Sequence, residues 1–167
     1  GTTSAGSLAS GGMIVNPTGA ISLGNVAGTA GTAFASFLRS NVVIGSITQV
    51  LTTGVAYNTT SDARVKNDFG AVNSTDIIKN TIIHDVTYKA DETQTHMLSV
   101  LAQEAYEVNP IAVTKGSDEV DENGNLKNPW QVDYAKYVPA LVVDSQMKDA
   151  VIASLIARIE ALESKGA

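Results

Sequence analysis

The sequence predicts a β-rich, stalk-like segment followed by a compact α+β domain that ends in a long, partly coiled-coil helix. Residues 1–60 contain no Asp or Glu and Arg39 is their only formal charge, so all 17 acidic residues follow Thr60. Short β-prone runs fill this neutral part, whereas apolar residues at helical spacing fill the C-terminal end. We therefore place a domain boundary between residues 1–60 and 61–167.

The neutral segment contains four β-prone runs separated by Gly or Asn-Pro, which favour turns. They are "GMIVN", "AISLG", "NVVIGSITQVL" and "GVAY", and "GTAFASFLRS" is compatible with a short helix. Strands this short bury little surface within one chain. The segment is therefore either a disordered low-complexity tail or a fibrous β-stalk whose strands pair with copies of the same chain. We favour the stalk because the runs are rich in branched apolar residues: Ile14, Val15, Ile21, Leu23, Val42, Val43, Ile44 and Ile47.

The charged segment has the patterns of an ordinary α+β domain. Alternation at Val86 and Tyr88 predicts a strand, and "HMLSVLAQEAYEVNP" has the spacing of a helix that Asn109-Pro110 would stop. Asn123-Gly124 predicts a two-residue hairpin. "VDYAKYVPALVVDSQMKDAVIASLIARIEALESKG" predicts the longest helix, with Pro139 in its first turn and Gly166 after its end.

The last helix carries a short heptad pattern. Apolar residues spaced 3, 4 and 3 apart form a coiled-coil seam, made of Ile152, Leu155, Ile159 and Leu162. The same register passes through Lys148 and Ser145 upstream, so the seam is clean only at the C-terminal end. Packing of one amphipathic helix on its own domain explains the pattern equally well, because two heptads do not decide oligomerisation.

Composition and motifs argue against several classes of partner and cofactor. A net charge of −6 and a pI near 4.7 disfavour nucleic acid, whose phosphates need clustered Lys and Arg. No apolar run approaches the roughly 20 residues of a membrane span, no signal peptide is expected, and the absence of Cys excludes disulfides. His84 and His96 lack metal-ligand spacing. We expect His84 to be a hydrogen-bonded structural residue and His96 to lie on the surface.

Two further features resemble ligand sites only superficially. An EF-hand register around Asp121 puts Trp130 where the bidentate Glu belongs, so we interpret "SDEVDENGN" as a hairpin tip. A lone tryptophan such as Trp130 more often packs against neighbouring side chains than stacks on a ligand. The chain lacks phosphate-loop, dinucleotide-binding and G-x-S-x-G motifs, and we predict neither a cofactor nor a metal.

Ser61 and Lys66 are the candidate reactive pair. A serine hydroxyl is a poor nucleophile until a base takes its proton. A lysine can do so when burial or a cationic neighbour lowers its pKa to about 7–8, and Arg64 is such a possible neighbour. On spacing alone, a turn-capping serine and a solvated lysine explain the same residues.

The order of these motifs resembles a known family. "SDARVK" is similar to the opening signature of the C-terminal intramolecular chaperone domains of phage tailspikes and tail fibres, the endosialidase-type self-cleaving peptidases. "VLAQEAYEVNP" is similar to the family's "IAQE…P" helix, and "VDYAKYVPAL" to the "VDY-x-K-x-x-P-x-L" start of its long terminal helix. The resemblance extends in order from Ser61 to Ala167, and "GSITQVLTTGVAYNTTSD" resembles the end of a fibre stalk.

The resemblance implies a homotrimer that folds its own stalk. Three chaperone domains would align three upstream segments, which would intertwine as a β-structure such as a triple β-helix. The domain would then cut itself off between Thr60 and Ser61, with Ser61 as nucleophile and Lys66 as its partner in a Ser-Lys serine-protease dyad. Assembly would take place in the host cytoplasm. The stalk would remain in the virion tail and the chaperone would be discarded.

Three other functions compete with this expectation. The first is a trimerisation module at a fibre tip that does not cleave itself. The second is a receptor- or glycan-binding tip, which the sparse aromatic residues disfavour. The third is a membrane-tethered transcription-factor precursor with a related self-cleaving domain, which the absence of a basic DNA-binding segment disfavours.

Overall fold

A computed structural model describes residues 12–15, 19–24 and 30–166. The chain divides into two compact units, residues 1–69 and residues 70–167. Ser61 and Lys66 both lie in the first unit. The domain boundary predicted at Thr60 from the change in charge stays a prediction. The described parts are a mixed α+β fold with small antiparallel sheets and a long C-terminal helix.

The described residues of the first unit form two antiparallel sheets. Strands β1 (Gly12–Val15) and β2 (Ile21–Gly24) form a two-stranded sheet. Strands β3 (Ala33–Arg39), β4 (Val42–Val50) and β5 (Gly54–Thr59) form a three-stranded meander in the order β3-β4-β5. The four β-prone runs are therefore strands, as predicted. The segment "GTAFASFLRS" is not a helix, because its residues 33–39 pair with β4, with one irregularity between Ala33 and Ala35 and another between Phe37 and Leu38.

The turn between β3 and β4 explains this pairing. Ser40 and Asn41 both have positive φ, 48° and 64°, and they connect the paired residues Arg39 and Val42. Two successive residues with positive φ match a two-residue turn of the mirror-image type, whose twist suits a β-hairpin. Asn tolerates this conformation better than most residues, so the hairpin is encoded locally.

The meander has one apolar and one polar face over its central part. Residues paired across antiparallel strands share a face, so Ala35, Ile47 and Tyr57 form an apolar row, whereas Ser36, Ser46 and Asn58 form a polar one. On the polar face the Asn58 side-chain amide donates to Thr48 Oγ1 at 2.8 Å. On the apolar face Tyr57 is 81% exposed and Phe37 is 56% exposed. One chain therefore leaves this face uncovered.

The second unit is built from short elements. Helix α1 (Ile77–Asn80) precedes strand β6 (His84–Val86), which pairs with β7 (Met97–Ser99). Helix α2 (Ala102–Val108) follows, and β8 (Val113–Thr114) pairs with β9 (Gln131–Val132). A 3₁₀ turn over Tyr134–Tyr137 leads into α3 (Val138–Gly166). The core around these elements is small: Val100, Ala105, Asn109, Ala112, Tyr137 and Ala140 are its buried residues within the described ranges.

Two predicted boundaries in this unit are wrong. The helix predicted from His96 starts only at Ala102, because Met97–Ser99 pairs with His84–Val86 instead. The predicted hairpin around Gly124 exists, but its loop is longer than two residues. Val120 bridges Leu126 and the Asp121 N–H donates to the Asn125 carbonyl. Gly124 alone of the loop residues has positive φ, as in three-residue hairpin loops with glycine in the left-handed position.

Helix α3 is 29 residues long. Pro139 lies in its first turn as predicted, and Gly166 is still helical. Every side chain from Lys148 to Gly166 is exposed. The seam residues are about half exposed or more, with Ile159 at 53% and Leu162 at 68%. In the described residues the seam therefore does not pack on its own domain, and the helix is compatible with a coiled coil.

Candidate functional site

The structure brings Ser61 and Lys66 together. Lys66 Nζ lies 2.6 Å from Ser61 Oγ and donates a hydrogen bond to it. A neutral amine at the same position would accept the hydroxyl proton along the same line. This is the separation that a nucleophile and its general base require.

A tight turn between the two residues creates this contact. Residues Ala63–Val65 form one turn of 3₁₀ helix, in which the Val65 N–H donates to the Asp62 carbonyl and the Lys66 N–H to the Ala63 carbonyl. The turn folds the chain back, so that Lys66 returns to the side chain five positions earlier.

Asp62 is the N-cap of this turn. Its Oδ1 accepts from the Arg64 N–H at 2.9 Å, which satisfies one of the free donors at a helix start. The Arg64 guanidinium closes back on the same carboxylate, with Nη2 2.5 Å from Oδ2. The side-chain hydrogen bond from Arg64 lowers the pKa of Asp62, and the backbone hydrogen bond lowers it further. Asp62 therefore stays ionised and holds the turn.

Thr60 is fixed on the other side of the Thr60–Ser61 bond. Its N–H donates to the Ile44 carbonyl at 3.2 Å, and its Oγ1 donates to the Val43 carbonyl at 2.9 Å. Both acceptors belong to β4, so Thr60 extends the pairing of β5 by one residue. These contacts are not visible in the sequence, because they join residues 16 and 17 positions apart.

The environment of the pair is open in the single chain. Ser61 and Lys66 are both exposed, and Arg64 is engaged by Asp62. The charge of Arg64, the cationic neighbour expected for Lys66, is compensated by the Asp62 carboxylate.

The remaining candidates have structural contacts. His84 Nε2 lies 2.7 Å from Glu104 Oε2, which agrees with a hydrogen-bonded structural residue. His96 is exposed as predicted and lies 3.0 Å from Asp85, although it precedes a strand. The Trp130 ring meets Tyr106 edge-on at 5.9 Å between ring centres, and it is a packing residue.

The Asp121 carboxylate serves its own loop. It accepts the N–H groups of Asn123 and Asn125, each at 2.9 Å, and these contacts lower its pKa, the Asn125 backbone bond most. This is the hairpin tip predicted from the sequence. Within residues 12–15, 19–24 and 30–166, no group of three or more His, Cys, Asp or Glu could hold a metal ion. No helix in those ranges is long and apolar enough to cross a bilayer.

Comparisons with family models, with curated proteins and with solved structures found no match to this chain.

Proposed function

We propose that the chain is an intramolecular chaperone that trimerises, directs the folding of a phage-fibre stalk and then releases itself by cutting between Thr60 and Ser61. The observation that carries this proposal is the 2.6 Å separation of Lys66 Nζ and Ser61 Oγ next to an anchored Thr60. In the proposed order of events the chaperone acts in the host cytoplasm, the stalk enters the virion tail and the chaperone is discarded.

The proposed reaction is a self-cleavage through an ester. Ser61 Oγ attacks the Thr60 carbonyl carbon while Lys66 Nζ accepts the hydroxyl proton. The bond between Thr60 C and Ser61 N then breaks, and the proton passes from Lys66 to the released amine. This step is an N→O acyl shift. Water hydrolyses the ester, which leaves a carboxylate on Thr60 and restores the Ser61 hydroxyl.

Trimer assembly supplies the condition that the single chain lacks. A lysine acts as a base when its amine is neutral, and removal from water favours the neutral form. Lys66 is exposed in one chain, so burial against a second chain is the step that would activate it. The cut would then follow assembly rather than precede it.

Two uncovered apolar surfaces support association of identical chains. The first is the meander face with Phe37, Val55 and Tyr57, which are 51% exposed or more. Apart from Arg39, strands β3 to β5 carry no formal charge, so few charges protect the sheet against pairing with another chain. Non-local β-pairing is slow, and a domain that gathers three copies raises their local concentration.

The second surface is the seam of α3. In its heptad register, Arg158 occupies position g and Glu163 the following e, an opposite-charge spacing that suits a parallel arrangement. Isoleucine at a with leucine at d is typical of two-stranded coiled coils. However, the exposed Val151 and Ile156 at the flanking g and e positions broaden the apolar face, as in helices that contact more than one neighbour.

The test is the intact mass of freshly purified protein, with Ser61→Ala and Lys66→Ala as variants. We expect the unaltered chain to yield one fragment that ends at Thr60 and another that begins at Ser61. Each variant should remain one uncut chain in a trimer. A Ser61→Ala variant that still splits at this bond would remove Ser61 as the nucleophile, and a Lys66→Ala variant without trimers would make Lys66 structural.

The second candidate function is a trimerisation module that does not cleave itself. The exposure of Lys66 in the single chain favours it, because hydration stabilises the charged form of a lysine, which cannot accept a proton. The same mass measurement separates the two functions. A trimer that remains whole after prolonged incubation would be the non-cleaving module.

A further inference from the structure

Thr60 makes two hydrogen bonds to consecutive carbonyl groups of β4. The backbone N–H reaches Ile44 and the side-chain hydroxyl reaches Val43. Strand β5 ends at Thr59, so the hydroxyl contact lies just beyond the regular ladder. A residue at the end of a strand is otherwise free to fray.

The bond between Thr60 and Ser61 is thus held from both sides by different parts of the chain. On the amine side, the Asp62-capped turn holds Lys66 against Ser61. On the acyl side, the Thr60 hydroxyl donates to the Val43 carbonyl of β4. The carbonyl group that Ser61 would attack belongs to Thr60, so its orientation towards Ser61 Oγ depends on how β4 holds Thr60.

We infer that Thr60 is a positioning residue whose hydroxyl couples the cut to the pairing of β5 with β4. This inference rests on the proposed self-cleavage. In a chain whose β4 is not yet in place, Thr60 has no acceptor for either bond, so the peptide plane that carries its carbonyl group is free to turn relative to Ser61 Oγ. The cut would therefore wait for the end of the stalk to fold, in addition to waiting for the trimer.

The size of the effect follows from the geometry of attack. Displacement of a reacting group by about 1 Å costs on the order of a hundredfold in rate. Loss of the hydroxyl contact leaves the backbone bond from Thr60 to Ile44, so the displacement should be partial. We therefore expect cutting to slow by at least about tenfold.

The experiment compares Thr60→Val with Thr60→Ser in the full chain. Valine keeps the branched shape of threonine but cannot donate, whereas serine keeps the hydroxyl. Thr59→Val makes the same replacement of a hydroxyl by a methyl group one residue upstream in β5, so it controls for the effect of that replacement on the strand. Trimers are isolated by size, and the uncut fraction is followed over time by intact mass. The trimer fraction is measured on the same samples.

The expected result is slow cutting in Thr60→Val, with rates within about threefold of the unaltered chain in Thr60→Ser and Thr59→Val and equal trimer fractions throughout. Equal rates in Thr60→Val and the unaltered chain would overturn this inference alone. A reduced trimer fraction in Thr60→Val would also overturn it, because Thr60 would then act in assembly. An unaltered chain that never cuts itself would contradict the proposed self-cleavage, and the proposed role of Thr60 would fail with it.

Discussion

Replacement of Ile159 by Asp should break the trimer without unfolding the chain. Ile159 occupies an a position of the α3 seam and is 53% exposed in the single chain. About half of its surface is therefore available for burial against other copies. Full burial of an isoleucine side chain contributes about 1.5–3 kcal/mol, so the association-dependent half contributes about 1 kcal/mol per chain.

In the proposed trimer three chains would meet at this layer, so the substitution should weaken the trimer by about 3 kcal/mol, which corresponds to somewhat more than a hundredfold in association. The three introduced carboxylates raise this cost further, because they would repel each other in a layer that excludes water. The fold of each chain should be unaffected, since the introduced side chain is solvated in the monomer.

The assay is light scattering over a range of concentrations, with Ser61→Ala present in every sample so that cutting does not change the mass. Ala157→Asp is the matched control, because it adds the same charge on the opposite face of α3. Circular dichroism checks that both variants keep their helix. We expect monomers for Ile159→Asp and trimers for Ala157→Asp. Equal trimer masses for the two variants would show that the seam is not an interface. Dimers in the control would show that the isoleucine-leucine pattern of the seam favours a two-stranded coiled coil.

Three smaller predictions follow from single contacts. Lys66→Arg should form trimers but not cut, because a guanidinium does not lose its proton; mass spectrometry would detect any cut fragment that contradicts this. Arg64→Gln should raise the pKa of Asp62, measured by NMR titration, because the main contact that lowers it is lost. The contact stabilises the turn at pH values above the ordinary aspartate pKa, and this stabilisation is lost as the pH falls through the lowered pKa of Asp62. An unchanged titration midpoint of Asp62 in Arg64→Gln would contradict the assignment. Gly116→Ala should lower the free energy of unfolding in urea by about 1–3 kcal/mol, because an added Cβ would lie 2.0 Å from the Asn128 carbonyl oxygen; unchanged stability would refute this clash.

Much of the first unit could be predicted from the sequence because its signals are local. Branched residues define the strands, and Ser40-Asn41 supplies the turn between β3 and β4. The segment "GTAFASFLRS" was ambiguous because Ala, Phe and Leu suit a helix as well as a strand. Its pairing with β4 decides the outcome, and that pairing is not visible in the segment itself.

The second unit shows the same limit of local patterns. Met97, Leu98 and Leu101 have helical spacing, yet Met97–Ser99 is a strand because it pairs with His84–Val86. By contrast, Pro139 lies in the first turn of α3, and this signal does not depend on contacts with distant parts of the chain. Local signals therefore located the helix start, whereas long-range pairing determined the strand.

At the candidate site, the family resemblance predicted the pair but not its setting. Asp is a favoured N-cap residue, so the role of Asp62 could have been read from its place before Ala63–Val65. The resemblance of "SDARVK" to the self-cleaving family pointed to Ser61 and Lys66, which the turn places 2.6 Å apart. The anchoring of Thr60 on β4 could not be predicted, because it requires the register of the meander.

The most direct test of the account is the denatured mass of an isolated native trimer of the unaltered chain, followed from the moment of assembly. The account predicts that the full-length mass declines while two fragments appear, one ending at Thr60 and one beginning at Ser61. A full-length mass that persists unchanged in the trimer, or a chain that forms no trimer at all, would contradict it.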